Sequence, residues 1–476
     1  MRGLLFFLSS ITFFRILYVI FYPLDLFPEE AQYWDWSRDL DLSYYSKPPM
    51  VAYLNFISRT ILGNTEIAVR VWPIFFSFLL SVFTYIFVKR LFDEKTALVA
   101  SVIPQLSVGF SVNSLLMTTD APFLFFWSLS VMTIYHASEK NSLRLWLLAG
   151  FLAGLAFLSK YPAVFLLPCT LLYLLLYRRN VLLSYKPYVA LLPAFFLATP
   201  VIYWNMKHGM VSFLHVSTLA TKGGGSVWEH ILEYLGGQML ILSVIPFFFM
   251  LMGWLKGWKN STTAFLSLYS LPVFLFFSML SLHKRVEANW PGFAYFTGSI
   301  LASYHLARSR WLVPSFGLSL FLFLFLHFTP LLDVVGLRKI LPPQRDPTKM
   351  GVGWSLLGDE VSRLYTGEEM VFSPQYQISA ELAFYTKGNP RTFCVNLGRR
   401  MNQYDLWREG MKNYVGKDAI FVDLKPIDSR VLSGFEGIIE ERSLVVKWRG
   451  EEVRRFYIYK LRKFNGHMEE SMPEGY

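Results

Sequence analysis

The sequence predicts an α-helical polytopic membrane protein with a small C-terminal α/β domain outside the bilayer. Three observations lead there. Of 476 residues, 54% are hydrophobic and 44 are phenylalanine, set in long apolar runs of a kind soluble domains rarely carry. The basic residues fall into alternate short loops. From about Gly336 onward charged residues rise and apolar runs shorten. The net charge of +11 is spread over loops rather than gathered into one patch, which fits membrane topology and argues against nucleic acid as a partner.

A spanning helix needs about 20 mostly apolar residues. Runs at 3–23, 68–88, 97–116, 121–137, 145–159, 162–177, 187–204, 236–254, 262–281, 290–306 and 311–330 give about eleven transmembrane helices, the unit 1–335. The first run contains Arg15 and no small-residue cleavage site follows it, so it reads as a retained span. The two runs flanking Lys160 are short and read as tilted or broken. Arg2, Lys89, Arg90, Lys95, Lys140, Arg144, Arg178, Arg179, Lys186, Lys256, Lys259, Arg308 and Arg310 occupy one alternating set of loops, cytoplasmic by the positive-inside rule. The N-terminus is then cytoplasmic. The other face receives segment 24–66, the turn at Met117–Asp120, the break at Ser159–Tyr161, loop 205–235, the His283–Asn289 loop and everything after 330.

The outer loop 24–66 is the most polar stretch of the membrane part. Pro28 suits a first helical turn, and Glu29 and Glu30 suit the positive end of that helix. Trp34 lies one turn beyond Glu30. A second short helix follows Pro48–Pro49, with Val51, Leu54, Ile57 and Ile61 as its apolar stripe, lying flat on the membrane. Gly223–Gly225 marks a flexible stretch in loop 205–235. Pro342, Pro343 and Pro347 mark a linker into the unit 336–476. There, strands at Met370–Ser373, Arg391–Val395, Ala419–Val422, Leu444–Trp448 and Arg455–Tyr459 alternate with helices at Ile378–Tyr385 and Asn402–Met411. The last dozen residues read as loose. Cys169 lies in an apolar run and Cys394 in the polar tail, so a disulfide between them is not expected.

The outer face collects the chemistry-bearing residues. Glu29 and Glu30 are either a solvated helix start or carboxylates that serve as a general base or bind a cation or sugar. Asp120 either caps a helix or is functional, since an acid close to the bilayer is costly. Lys160 either snorkels or, with Lys47, binds phosphate. His283, Lys284 and Arg285 add donors that suit a phosphate or lipid headgroups. No zinc motif, P-loop or dinucleotide fingerprint stands in the right context.

At these residues a family resemblance enters. The run PEEAQYWDWS, then LSYYSKPPMVAYL, GNTEIAVRVWP, TTDAPFLFFW, GLAFLSKYPAV and KRVEANWPGFAYF resembles membrane glycosyltransferases of the GT-C fold. More narrowly it resembles the protein O-mannosyltransferase-like group that includes the aminoarabinose and galacturonic acid transferases of bacterial lipopolysaccharide. In the tail, QISAELAFYTKGNPR and NQYDLW resemble the extramembrane domain of some bacterial members. The resemblance implies a sugar donor on polyprenyl phosphate, undecaprenyl phosphate in most bacteria. It implies inverting transfer to lipid A or lipopolysaccharide core, on the periplasmic face of the bacterial inner membrane. It makes Glu29 and Asp120 the catalytic acids, with Glu30 beside them; Glu29 stands where the family usually has Asp. Lys47 and Lys160 match lysines that contact the donor phosphate, with His283, Lys284 and Arg285 assigned to the same anion. Tyr33, Trp34, Tyr45, Tyr161 and Asn289 complete the expected substrate contacts. No cofactor or metal is expected, although Glu29, Glu30 and Asp120 could converge on a divalent ion.

Two other functions are compatible with the sequence. One is the same fold glycosylating protein Ser/Thr or another envelope polymer. The other is a transporter or flippase of lipid-linked sugars, which should show internal repeats and mid-bilayer polar groups; no clear repeat is visible and the polar cluster lies at one face.

Overall fold

The computed structural model describes residues 1–221 and 223–471; of the tail end expected to be loose, 472–476 lie outside the described residues. The first eight helices are α1 (Arg2–Phe21), α2 (Pro28–Trp36), α3 (Met50–Leu62), α4 (Glu66–Leu91), α5 (Glu94–Leu106), α6 (Val108–Asn113), α7 (Asp120–Lys140) and α8 (Leu143–Ser159). The expected apolar runs are largely helical. Among the described residues four helices are long and apolar enough to cross a membrane: Arg2–Phe21, Glu66–Leu91, Lys186–Lys207 and Ser261–Ser281. A fifth span results if Val227–Leu242 and Val244–Lys259, bent by 102° at their junction, count as one. The run expected at 236–254 straddles that bend, where Ser243 takes a positive φ of 71°. The run expected at 97–116 breaks at Ser107, whose extended backbone separates α5 from α6.

α4 and α7 lie side by side and run in the same direction, because Phe76 stacks on Phe125 while Phe87 meets Tyr135 edge-on. Their C-terminal ends carry the basic loops. There Lys89 pairs with Glu94 at 2.9 Å, Arg308 with Asp93 at 2.9 Å, and Arg178 with Glu139. Their N-terminal ends carry Glu66 and Asp120. The two sets of loops sorted by charge alone thus occupy opposite ends of the bundle. Arg15, buried within it, is held by neutral partners, the Gln105 side chain at 2.5 Å and the Ser77 hydroxyl at 3.2 Å.

The outer loop is a docked structure. α2 starts at Pro28, and the Glu30 carboxylate accepts from the Phe27 backbone N–H at 3.0 Å, closing its first turn. α3 buries Val51 and Leu54 but leaves Ile57 and Ile61 outward with Phe56 and Leu62. The expected stripe is therefore split between an inner and an outer face, and the outer one is apolar as an interfacial helix requires.

The tail forms a five-stranded sheet from β1 (Met370–Ser373), β2 (Thr392–Cys394), β3 (Ala419–Asp423), β4 (Phe435–Trp448) and β5 (Glu451–Phe464), in the order β2-β1-β3-β5-β4. β1 runs parallel to β2 and β3, β3 pairs antiparallel with β5, and β4–β5 is a long hairpin. Both faces are covered. Val371, Ile420, Val422 and Ile458 pack with Leu357 and Leu382 on one side; Phe372, Phe421 and Leu461 pack with Met411 and Phe435 on the other. The expected helix at Asn402–Met411 is instead a single turn, Gln403–Leu406, followed by a 3-10 stretch, Arg408–Tyr414. The helix Trp354–Ser362 was not foreseen.

This domain is seated on the outer loop. The helix Tyr376–Tyr385 lies against α2, with Trp34 edge-on to Phe384 and the Tyr385 hydroxyl accepting from the Leu26 N–H at 2.7 Å. Asp25 accepts from the Trp354 and Ser355 N–H groups at 2.7 and 3.2 Å, and Tyr404 donates to Asp35 at 2.8 Å.

Candidate active site

A cavity of about 770 Å³ lies between the outer loop, the N-terminal end of α7, the break after α8, the helix Val211–Thr221, the 284–290 loop and the C-terminal domain. Glu29, Tyr33, Tyr45, Lys47, Asp120, Lys160, Lys284, Arg285 and Asn289, all expected from the sequence, line it. Residues from six distant segments of the chain line this one space.

Each is delivered by local structure. The helix dipole of α2 favours an acid at its first turn, and Glu29 occupies it with the side chain exposed to the cavity. Among the described residues Glu29 has neither a hydrogen bond nor an ion pair, so its carboxylate is available. The strap 36–47 is rigid. Tyr44 stacks on Trp36 at 4.5 Å and donates to the Trp36 carbonyl, and a turn bonds Tyr44 N–H to the Lys47 carbonyl at 3.1 Å. Pro162 stops α8, so Lys160 sits in extended backbone at the break. Its ammonium meets Asp120 at 2.5 Å. Asn289 donates to the other Asp120 oxygen at 2.8 Å. Asp120 is therefore not a capping residue; Thr119 holds the cap position and the Asp120 carboxylate turns to Lys160 and Asn289.

The field in the cavity is mixed. Burial and the nearby Lys160 lower the Lys47 pKa, while Glu29 and Asp120 oppose that shift. Burial also lowers the Lys284 pKa, and its ammonium lies 5.1 Å from the centre of the Trp290 ring. Burial raises the Tyr33 hydroxyl well above the usual range, helped by Glu29 and Asp120, which line the same cavity.

Four expected residues stand elsewhere. Glu30 is fully buried and turned away from the cavity. It pairs with Arg70 at 2.7 Å and also accepts from the Met117 N–H at 2.9 Å, so it ties α2 to α4 and to the turn before α7. Trp34 is buried against Phe384, its indole N–H on Asn64. Tyr161 lies behind the wall, its ring on Phe213 and its hydroxyl 3.5 Å from Ser43. His283 is exposed outside the lining. Arg285 reaches the rim but is paired with Glu233 at 3.1 Å. With Glu30 engaged by Arg70 and Asp120 by Lys160, the three acids do not converge. Among the described residues no group of three His, Cys, Asp or Glu side chains could hold a metal.

The sequence reading missed one wall. Gln375, Tyr376, Arg399 and Arg400 come from the C-terminal domain, and His215 from the helix Val211–Thr221. The available signals were the tail motifs themselves. Tyr376 immediately precedes QISAELAFY, and the Arg399–Arg400 doublet sits just before NQYDLW. A second cavity, about 550 Å³ and lined mostly by apolar groups such as Val112, Leu116, Phe123, Ile241 and Phe293, adjoins the first. The two share Thr118, Asp120, Glu287 and Asn289.

Comparison with known proteins bears on the motifs read from the sequence. Residues 46–204 match the family described as dolichyl-phosphate-mannose-protein mannosyltransferase. The chain is 27% identical over 391 residues to the lipid A galacturonosyltransferase RgtD of Rhizobium johnstonii, across 79% of this chain and 80% of that one. It is 25% identical over 294 residues to the undecaprenyl phosphate-alpha-4-amino-4-deoxy-L-arabinose arabinosyl transferase 2 of Proteus mirabilis, across 53% and 50%. Its fold is that of ArnT from Cupriavidus metallidurans, solved bound to undecaprenyl phosphate, with a TM-score of 0.68 at 14% identity over 96% of this chain and 98% of that one. The resemblance to GT-C membrane glycosyltransferases of this group therefore holds for most of the sequence and for the fold.

Proposed function

We propose that this chain is an inverting glycosyltransferase that moves a sugar from a polyprenyl phosphate, undecaprenyl phosphate in bacteria, to lipid A or lipopolysaccharide core. The observation that carries the reading is the pairing of two cavities across Asp120. One is polar, with Lys47, Lys160 and Lys284 facing Glu29; the other is apolar and opens beside it. A sugar phosphate on a long hydrocarbon carrier needs both environments at adjoining positions. The similarity to a lipid A galacturonosyltransferase over four-fifths of that protein supports the same acceptor class.

The acceptor oxygen attacks the anomeric carbon from the side opposite the phosphate. The bond from that carbon to the phosphate oxygen breaks, and the carrier phosphate leaves with the electron pair. Glu29, free of other partners, takes the acceptor proton. Asp120, held by Lys160 and Asn289, orients the acceptor. Lys47 and Lys284 stabilise the charge that grows on the leaving phosphate. These lysines supply the positive charge that a divalent ion would otherwise bring, so transfer is expected to survive chelation by EDTA. The segregation of basic loops at the end of the bundle away from the cavity supports an inner-membrane protein with a cytoplasmic N-terminus, and with the cavity and the 336–476 domain in the periplasm.

The test is mass spectrometry of extracted lipid A and core from cells carrying the wild-type protein, Glu29→Gln, or neither. A fixed mass increment seen only with the wild type is the expected result. Identical spectra from all three would move the acceptor to protein or another envelope glycan, and would favour transport of the lipid-linked sugar over its transfer.

A further inference from the structure

Arg399 and Arg400 are neighbours with different fates. Arg399 is tied down: its guanidinium bonds Asp405 at 2.8 and 3.0 Å and the Cys394 carbonyl at 2.9 Å. Arg400 is exposed on the cavity wall, and among the described residues its side chain makes no ion pair or hydrogen bond. Its backbone, by contrast, is fixed on both sides. Asn396 accepts from the Gly398 and Arg399 N–H groups, each at 2.9 Å, and the Arg400 carbonyl takes a bond from Arg399 at 3.0 Å. After it, Asn402 and Asp405 close a reciprocal cap, and Gln403 accepts from the Tyr45 N–H at 2.7 Å. The held backbone fixes where the side chain starts, and its planar donor fork is free to take an anion.

The charges around it are unbalanced. Glu29 and Asp120 bear on Lys47, and Glu287 bears on Lys284. Arg400 bears on Lys47, on His215 and on the Tyr376 hydroxyl. Two cations, Lys47 and Arg400, face one space, and burial keeps His215 on the same wall neutral, its pKa lowered to about 4. The carrier's phosphodiester brings one negative charge, and Lys47 and Lys284 stand where it would be met.

We infer that Arg400, contributed by the extramembrane domain, binds a second anionic group of the substrates, a carboxylate or phosphate on the transferred sugar or on the acceptor, and so determines specificity. This rests on the transferase reading above and adds the charge of the substrate to it.

The test uses the full-length protein in lipid nanodiscs with undecaprenyl-phosphate-linked galacturonic acid, galactose and galactosamine as donors. The acceptors are lipid A with and without its phosphate groups. Arg400→Gln should lower the preference for the anionic substrate, read as a ratio of kcat/KM values, by about tenfold, and Arg400→Lys should restore part of it. A loss of preference among donors assigns the anion to the sugar carboxylate. A loss among acceptors assigns it to the acceptor phosphate. An equal effect on charged and neutral substrates, or no effect, overturns the inference. Should the wild type transfer nothing, the transferase reading fails by itself. Arg400 is then judged by binding of galacturonic acid 1-phosphate against galactose 1-phosphate, and equal loss of both in Arg400→Gln overturns it.

Discussion

Glu29 and Glu30 are adjacent in the chain, yet one faces the cavity and the other a buried guanidinium. The sequence shows two carboxylates at a helix start; which one faces which way depends on Arg70, forty positions on, and on the turn at Met117, and neither is readable locally. The consequence is a clean separation of effects. Glu30→Gln breaks a buried pair and leaves the Arg70 charge uncompensated, at a cost of about 3–5 kcal/mol. Thermal melts should show a marked drop for that variant. Glu29→Gln should melt with the wild type and lose about 100-fold or more in turnover, the usual scale for a general base. A Glu30→Gln protein as stable as the wild type would show that the buried pair is not what holds α2. His215 was invisible as a site residue because a lone histidine in an outer loop carries no pattern; its ring meets Tyr45 at 4.9 Å only in the folded chain. Its pKa falls from 6.5 to about 4 through burial, then through Arg400 and Lys47. The unfolded chain therefore binds the proton more readily between those values. The stability this gives is complete above pH 6.5 and is lost as pH falls toward 4, on the order of 2–3 kcal/mol. His215→Phe keeps a ring against Tyr45 and should flatten that part of the melting temperature–pH profile; an unchanged slope would place the acid sensitivity elsewhere.

Helices show how far apolar runs can be read. Their existence follows from composition, and the end of α8 follows from Pro162, so the position of Lys160 at a break was legible. The bend at Ser243 has a local mark inside the apolar run: Pro246 has no N–H for the Leu242 carbonyl, so the helix cannot continue unbroken through that point. How closely α8 meets its neighbour was not legible. A methyl group placed on Gly150 would lie 1.8 Å from the Ala190 carbonyl oxygen, so the two backbones touch there. Small residues at such crossings let helices approach in the membrane. Gly150→Ala must push α8 away or distort it, costing about 1–3 kcal/mol or more. Because α8 carries Lys160 at its end, the displacement should also raise the donor KM. Gly236 is the control: it lies inside the helix Val227–Leu242 with nothing within 4 Å of an added methyl. Alanine there should leave stability unchanged or raise it by up to about 1 kcal/mol. Melting temperatures and donor KM of both variants in the same nanodiscs decide it; equal behaviour of the two would mean that the Gly150 contact is not tight in the membrane.

At the scale of the whole molecule, the site exists only where two units meet. Sorting loops by charge found the membrane half of the cavity, and the strands of the tail could be read from alternation. The half that the tail supplies could not, because the seating of one unit on the other is written in single side chains. The motif NQYDLW is the clearest case. Asn402 and Asp405 cap the turn, Gln403 bonds the Tyr45 backbone, and Tyr404 donates to the buried Asp35. Tyr404 is the place to test the coupling. Its phenol is buried, and the Asp35 carboxylate, whose pKa burial raises, otherwise has Arg38 at 3.5 Å. Tyr404→Phe keeps the ring and removes one hydrogen bond to a buried acid, a loss of about 1.5–3 kcal/mol. The loop 396–402 is then less firmly held against the strap 36–47, although no cavity residue has been changed. Turnover at saturating substrate should fall only modestly, whereas KM should rise several-fold. Amide exchange should quicken in 396–405 and in 36–47 together, while β3 and β5 stay protected. Faster exchange in the tail segment alone would mean that the strap holds its shape without the domain. The cavity would then be built by the membrane unit and merely covered by the tail.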